Sequence, residues 1–251
     1  MVKLFKEIVV VVIIIMSVYT LILQNYKIPS GSMKPTLNIG DQILVNKSVY
    51  GWTIPKLPML DLSIVPNDKD QRITFLENIR TMIADTLNIP SLKSRTPILG
   101  EIVAFQEPET KIPYVKRAVA TEGMSFMLRK DGFWLEDNSL LTYKNKEKKE
   151  IEGRTFIKNP LLNQFEVLDN ENRKLFIYKI SNKNGLKEEE IKGYKIYTVK
   201  KGFTFMLGDN RNNSKDSRFI GAIENKYLLG KVFYRFFEIN ENIGVNNNRS
   251  F

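Results

Sequence analysis

Ser30 and Ser32 lie in the stretch Ile28-Pro29-Ser30-Gly31-Ser32-Met33-Lys34-Pro35-Thr36-Leu37. Gly31 permits backbone angles closed to other residues, and Pro29 and Pro35 fix φ on either side. A rigid turn of this kind can present a hydroxyl as a nucleophile. Taken alone, the stretch also reads as an ordinary Ser/Gly/Pro loop. A serine becomes a nucleophile only beside a base, and this chain has no histidine and no cysteine. A Ser-His-Asp triad, a Cys nucleophile, zinc sites built on His or Cys, and disulfides are all excluded. The base must then be Lys, Asp, Glu or Tyr. Lysine is favoured because burial lowers its pKa towards neutrality.

Two further stretches could supply partners. In Tyr114-Val115-Lys116-Arg117-Ala118-Val119-Ala120, Lys116 lies, with Arg117, within an otherwise apolar stretch instead of in a solvated charge run. It could also be a lysine on an exposed strand face. The loop from Gly208 to Gly221, Gly-Asp-Asn-Arg-Asn-Asn-Ser-Lys-Asp-Ser-Arg-Phe-Ile-Gly, is dense in hydrogen-bonding side chains. Its Asp and Arg residues can neutralise one another, and its Asn and Ser residues can cap a tight turn. The alternative is a solvated surface loop.

These stretches need elements to bring them together. Ile8 to Leu23 carry no charge, and sixteen helical residues span roughly 24 Å, short of a ~30 Å hydrocarbon core. Leu4 and Phe5 extend the run if Lys6 snorkels. Gln24-Asn25-Tyr26-Lys27 is a poor cleavage site, so an uncleaved N-terminal transmembrane helix is favoured over a removed signal peptide. Lys3 and Lys6 place that end in the cytoplasm. In Gly40 to Lys47, Gly40-Asp41 reads as a turn before a short strand with Ile43 and Val45 on one face and Leu44 on the other. Residues 51–99 form an insert. Its apolar positions from Ile73 to Leu87 recur at helical spacing and predict an amphipathic helix over residues 70–88, docked on a core or lying on the bilayer. Gly100 to Phe105 predicts a strand with Ile102 and Ala104 on one face and Val103 and Phe105 on the other.

From Met124 to Lys200, short apolar runs alternate with turn signals at Asp131-Gly132, Asp137-Asn138, Asn170 and Asn184-Gly185. The strand candidates are Phe133–Leu135, Phe165–Leu168, Leu175–Tyr178 and Tyr194–Tyr197. Lys187 to Glu190 reads as a helical turn or a loop. Phe203 to Leu207 and Gly230 to Phe237 complete the strands, and 241–251 reads as a disordered polar tail. The expected fold is mostly β. An anchor (1–25) precedes an antiparallel catalytic core (26–123 and 201–240), interrupted by a β-rich inserted domain (124–200). The net charge is +10, but no Lys/Arg block with interleaved aromatics stands out. Membrane lipids are therefore expected partners and nucleic acid is not.

The chain resembles the type I signal peptidases. The resemblance rests on Ile28 to Leu37, Gly40 to Lys47, Gly100 to Phe105 with Tyr114 to Arg117, and Gly208 to Gly221, in that order after an N-terminal anchor. It implies a bacterial membrane-anchored Ser-Lys endopeptidase with its catalytic domain on the outer side. Such an enzyme removes signal peptides from preproteins after Ala-x-Ala sites, without metal or cofactor. By this likeness Ser32 is the nucleophile and Lys116 the general base. Ser214 orients the lysine, and the Ser30 hydroxyl joins the Ser32 N–H in the oxyanion hole. Asp209, Asn210, Arg211, Asp216 and Arg218 form a supporting polar loop, with Arg218 paired to a carboxylate. Pro29, Met33, Leu37, Tyr114 and Val115 line the pocket for the residue before the cut. Tyr26, Ile28, Ile43 and Ala104 line the one two residues further back. Leu99-Gly100-Glu101 replaces the family's Arg-Gly-Asp, Asn212 replaces an Asp, and Ala120 to Met124 departs from Gly-x-Pro-Gly-Asp. Rival readings are a processing protease dedicated to one secretion or conjugation substrate, and a catalytically dead anchored binding domain. An SOS-repressor-type autoprotease would need a DNA-binding N-terminus where the apolar run stands.

Overall fold

The computed structural model describes residues 5–12, 22–50, 95–129, 131–137, 147–158, 179–236 and 249–250. Strands β1 (Leu23–Lys27), β2 (Gln42–Asn46), β3 (Ile102–Gln106), β4 (Pro113–Thr121), β11 (Phe203–Leu207), β12 (Ile223–Glu224), β13 (Leu228–Phe236) and β14 (Arg249–Ser250) form one eight-stranded sheet. Its order is β1-β2-β13-β3-β4-β11-β12, with β14 against β13. The second sheet has six strands: β5 (Ser125–Arg129), β6 (Gly132–Glu136), β7 (Glu147–Ile151), β8 (Arg154–Lys158), β9 (Leu186–Ile191) and β10 (Tyr194–Val199). Every pairing described is antiparallel.

The alternation in β3 shows why the first sheet is packed on both faces. Ile102 and Ala104 pack with Ile28, Met33, Leu37, Ile43, Val45 and Val232. Val103 and Phe105 point the other way, into a cluster with Tyr50, Ala118, Met206 and Leu228. A strand buried on both sides reads as a continuous apolar run, and burying each large side chain contributes roughly 1.5–3 kcal/mol. The two sheets meet where Val119, Ala120, Phe205 and Leu207 pack on Phe126, Phe133, Tyr197 and Val199. Phe126 stacks on Phe133 at a centroid distance of 5.0 Å and meets Phe205 in a tilted contact at 4.6 Å.

Several expectations need correcting. Lys187 to Glu190, read as a helical turn or loop, belongs to β9, which pairs along its length with β10. A run of Lys and Glu favours a helix by propensity alone. Here it forms an edge strand whose Glu188 meets Lys195 at 3.8 Å, and charge is what an exposed edge tolerates. The β9–β10 turn uses Lys192 (φ 50°) and Gly193 (φ 77°), and the β7–β8 turn uses Glu152 (φ 47°) and Gly153 (φ 78°). Two successive positive φ values match the twist of a two-residue hairpin. Neither pair was among the turn signals read from the sequence. Arg249–Ser250, placed in the disordered tail, pair with Tyr234 and Arg235.

Among the described residues no helix is long and apolar enough to cross a membrane. Residues 5–12 are helical and exposed, and residues 13–21 of the expected anchor lie outside the described residues. Leu23, counted with that helix, begins β1 and pairs with Asn46. The amphipathic helix over 70–88 and the strand candidates Phe165–Leu168 and Leu175–Tyr178 also lie outside them.

Candidate active site

The serine turn hangs between β1 and β2. The Ile28 N–H donates to the Asp41 carbonyl (2.8 Å) and the Gly40 N–H to the Ile28 carbonyl (2.9 Å). These bonds carry the β1–β2 hairpin beyond its last strand pair and close the loop at its neck. Gly31–Met33 forms a single 3-10 turn, and Met33 anchors it with 1% of its surface exposed.

The second half comes from β4. Lys116 pairs with Val103 on β3, while β11 lies on the other side with Leu207 opposite Arg117. One step further in that register, where β11 ends, Gly208 comes abreast of Lys116. Lys116 Nζ lies 2.8 Å from Ser32 Oγ and 2.9 Å from the Val115 carbonyl, and the residue is only 4% exposed. Burial pulls the amine down to about 8 from 10.5. Asp216 and Asp209 act against that by favouring the charged form. Both carboxylates have other partners. Arg117 clasps Asp209 at 2.8 and 2.7 Å, and Arg218 clasps Asp216 at 2.8 Å through both nitrogens. Arginines held in this way limit how far the carboxylates can pull the lysine back.

The loop after Gly208 clamps the serine turn. The Asn210 N–H donates to the Ser32 carbonyl at 3.0 Å, and its side-chain amide donates to the Gly31 carbonyl at 3.0 Å. Arg211 Nε donates to the Gly208 carbonyl at 2.9 Å. The Gly208 N–H donates to Asp216. Asn210→Ala should keep the backbone bond and lose the amide one. One such bond is worth about a factor of ten in turnover at most. We expect kcat to fall about tenfold with the thermal midpoint nearly unchanged. A drop in the midpoint with unchanged kcat would make Asn210 merely structural.

A cleft of about 560 Å³ opens over Ser32 and Lys116. Tyr26, Ile28, Pro29, Met33, Ala104, Tyr114 and Val115, all expected there, line it. Leu37 and Ile43 do not. Each is wholly buried in the cluster beneath the cleft, so they support its floor without reaching its surface. Ser30 Oγ lies 3.5 Å from Ser32 Oγ, at the outer edge of a hydrogen bond. Ser214 Oγ is buried and has no hydrogen-bond partner among the described residues. The lysine-orienting bond implied by the resemblance is therefore not made here, because Lys116 Nζ turns to Ser32 and the Val115 carbonyl instead.

Sequence reasoning missed Lys27, Ile112, Pro113, Asn213 and Lys215, which also line the cleft. It also missed Arg117, whose position directly after Lys116 put it on the opposite strand face, facing Asp209. Glu101, which departs from the family's Asp, takes hydrogen bonds from Arg95, Tyr50 and the Ile98 N–H. A larger cavity, about 810 Å³, opens on the second sheet among Met127, Arg129, Lys179, Tyr194 and Tyr197. Ser181, Lys179 and Lys183 also line it, but among the described residues no hydrogen bond joins that serine to either amine, unlike Ser32 and Lys116, so size alone does not mark the active site.

Signal peptidase I of Helicobacter pylori strain 26695 is 30% identical over 91% of this chain and 79% of its own. That of Pseudomonas aeruginosa PAO1 is 27% identical over 89% and 68%, and that of Aquifex aeolicus 28% over 94% and 84%. Among solved structures, a signal peptidase I from Enterococcus faecalis V583 aligns at 22% identity, covering 55% of this chain and 97% of its own, with a TM-score of 0.29. So loose a superposition leaves the assignment to the sequence matches. The family model described as "Signal peptidase, peptidase S26" matches residues 1–237, and this chain belongs to that family.

Proposed function

We propose that this chain is a membrane-anchored serine endopeptidase that cuts signal peptides from exported preproteins, with Ser32 as nucleophile and Lys116 as general base. The observation that carries the reading is the 2.8 Å contact between a buried lysine amine and a serine hydroxyl at the base of an open cleft. The neutral amine takes the Ser32 proton as Oγ attacks the scissile carbonyl carbon. The carbonyl π electrons move to oxygen, and the Ser32 N–H and the Ser30 hydroxyl stabilise the oxyanion. Protonated Lys116 then gives its proton to the leaving amine as the C–N bond breaks. Water, deprotonated by the same lysine, hydrolyses the acyl-enzyme. Rotation of the Ser214 hydroxyl towards the amine would steady it through these transfers. An apolar floor of Ile28, Met33, Ala104 and Val115 leaves room for small side chains and excludes large ones. The uncharged run from Ile8 to Leu21, ahead of β1, would hold the cleft at the outer leaflet of a bacterial cytoplasmic membrane, against lipid.

The test is a pH series on a presecretory protein with an Ala-x-Ala site, in detergent micelles. Only the unprotonated amine accepts a proton. kcat/KM should therefore rise with pH and level off through a midpoint near 8, falling tenfold per unit below it. Cleavage elsewhere than after Ala-x-Ala overturns the substrate assignment. A rise confined to above about pH 9 overturns the assignment of a desolvated lysine base.

A further inference from the structure

The cleft has an unbalanced charge. Its lining includes Lys27, Lys116 and Lys215 and not one Asp or Glu. Lys116 is engaged by the proposed chemistry, its Nζ 2.8 Å from Ser32 Oγ. Lys215 is exposed and makes no ion pair among the described residues. The carboxylate it acts on through space is Glu107. That carboxylate is already taken by the Thr110 N–H and hydroxyl in the β3–β4 turn, and Glu107 is almost wholly buried. Lys215 lines the same cleft as Ser32 and Lys116, so its charge faces what the cleft holds. The floor there is apolar: Ile28, Met33, Ala104 and Val115. Under the reading above, that floor takes the side chains before the cut. The polar wall carrying Asn213 and Lys215 is then left for the segment that departs.

We propose that Lys215 is a specificity determinant: it favours preproteins with Asp or Glu at the first or second residue after the cut and disfavours those with Lys or Arg there. A lone ammonium at the rim of an apolar cleft, with no carboxylate in the lining to neutralise it, attracts an acidic side chain and repels a basic one. The proposal rests on the proposed signal-peptidase reading and goes beyond it to the mature end of the substrate.

The experiment compares preproteins identical except for Glu, Gln or Lys at the first and second positions after the cut, with the same changes two residues before it as reference. For wild type the Glu-to-Lys ratio of kcat/KM after the cut should be about fivefold, shrinking towards one in molar salt as exposed charges are screened. Lys215→Gln should bring the ratio to about one, and Lys215→Glu should invert it. Both substitutions sit on an exposed side chain, and cutting of the Gln substrate reports that each variant is folded. Equal ratios in wild type and Lys215→Gln overturn the proposal, as does an equally large effect before the cut. If the Gln substrate is cut after Ala-x-Ala while the ratio is flat, the enzyme reading stands and the charge preference falls. If wild type cuts no substrate, both fall.

Discussion

Ser32→Ala and Lys116→Ala should each lower kcat/KM for preprotein cleavage by at least about 10⁴-fold, and the double variant should lose little more. Groups that act as one unit are grossly non-additive, because removing either leaves the other with nothing to do. The 2.8 Å contact makes them such a unit. Lys116→Arg should fail as completely as alanine, since a guanidinium stays protonated and has no lone pair to accept the serine proton. The same position gives a readout that separates chemistry from folding. Burial disfavours the charged amine, which is why it titrates near 8. Lys116→Met keeps the stem and removes the group that burial penalises, so its thermal midpoint should match or exceed that of wild type while activity disappears. Loss of activity together with a large fall in midpoint would mean that the lysine supports the fold. Residual activity within tenfold of wild type would end its assignment as the base.

Without histidine or cysteine, the residues alone made lysine the favoured base for any serine nucleophile, but they left Lys116 open between that role and a lysine on an exposed strand face. The pairing of Ser32 with Lys116 was read from the family resemblance, and the structure puts the two side chains 2.8 Å apart. The alternation of Ile102, Val103, Ala104 and Phe105 gave both faces of β3, since a pleated strand must alternate. What stayed hidden depends on contacts far apart in sequence. Nothing in Asn213 or Lys215 marks them as cleft residues, because a surface lysine looks the same wherever the fold puts it. Leu37 and Ile43 show the converse: apolar type indicates burial but not whether a residue lines a pocket or lies beneath it. Lys187 to Glu190 became a strand because β10 offered a partner, and pairing outweighs a propensity of a few tenths of a kcal/mol.

Gly208→Ala should lower kcat by about 10²-fold or more while the protein still folds. Gly208 is buried at the end of β11, abreast of Lys116. A Cβ there would lie 2.2 Å from Ser214 Oγ, 2.6 Å from Ser214 Cβ and 2.5 Å from the Ser32 carbonyl oxygen. Rotation can move the Ser214 hydroxyl but not its Cβ, and the Ser32 carbonyl is backbone and must move with its residue. That carbonyl is also the acceptor for the Asn210 N–H. Pushing it outwards breaks the clamp and carries Ser32 Oγ away from Lys116 Nζ, and displacement of a nucleophile by about 1 Å costs on the order of 10²-fold in rate. Gly230→Ala is the control. Its Cβ would meet the Asn46 carbonyl at 2.3 Å, a comparable collision on β13. It should therefore cost stability, about 1–3 kcal/mol for a forced overlap, with kcat per folded molecule unchanged. If the two variants lose activity in proportion to stability alone, Gly208 is a packing position like any other. If Gly208→Ala loses kcat beyond its stability loss and Gly230→Ala does not, the missing side chain at 208 is what lets the serine turn approach the lysine.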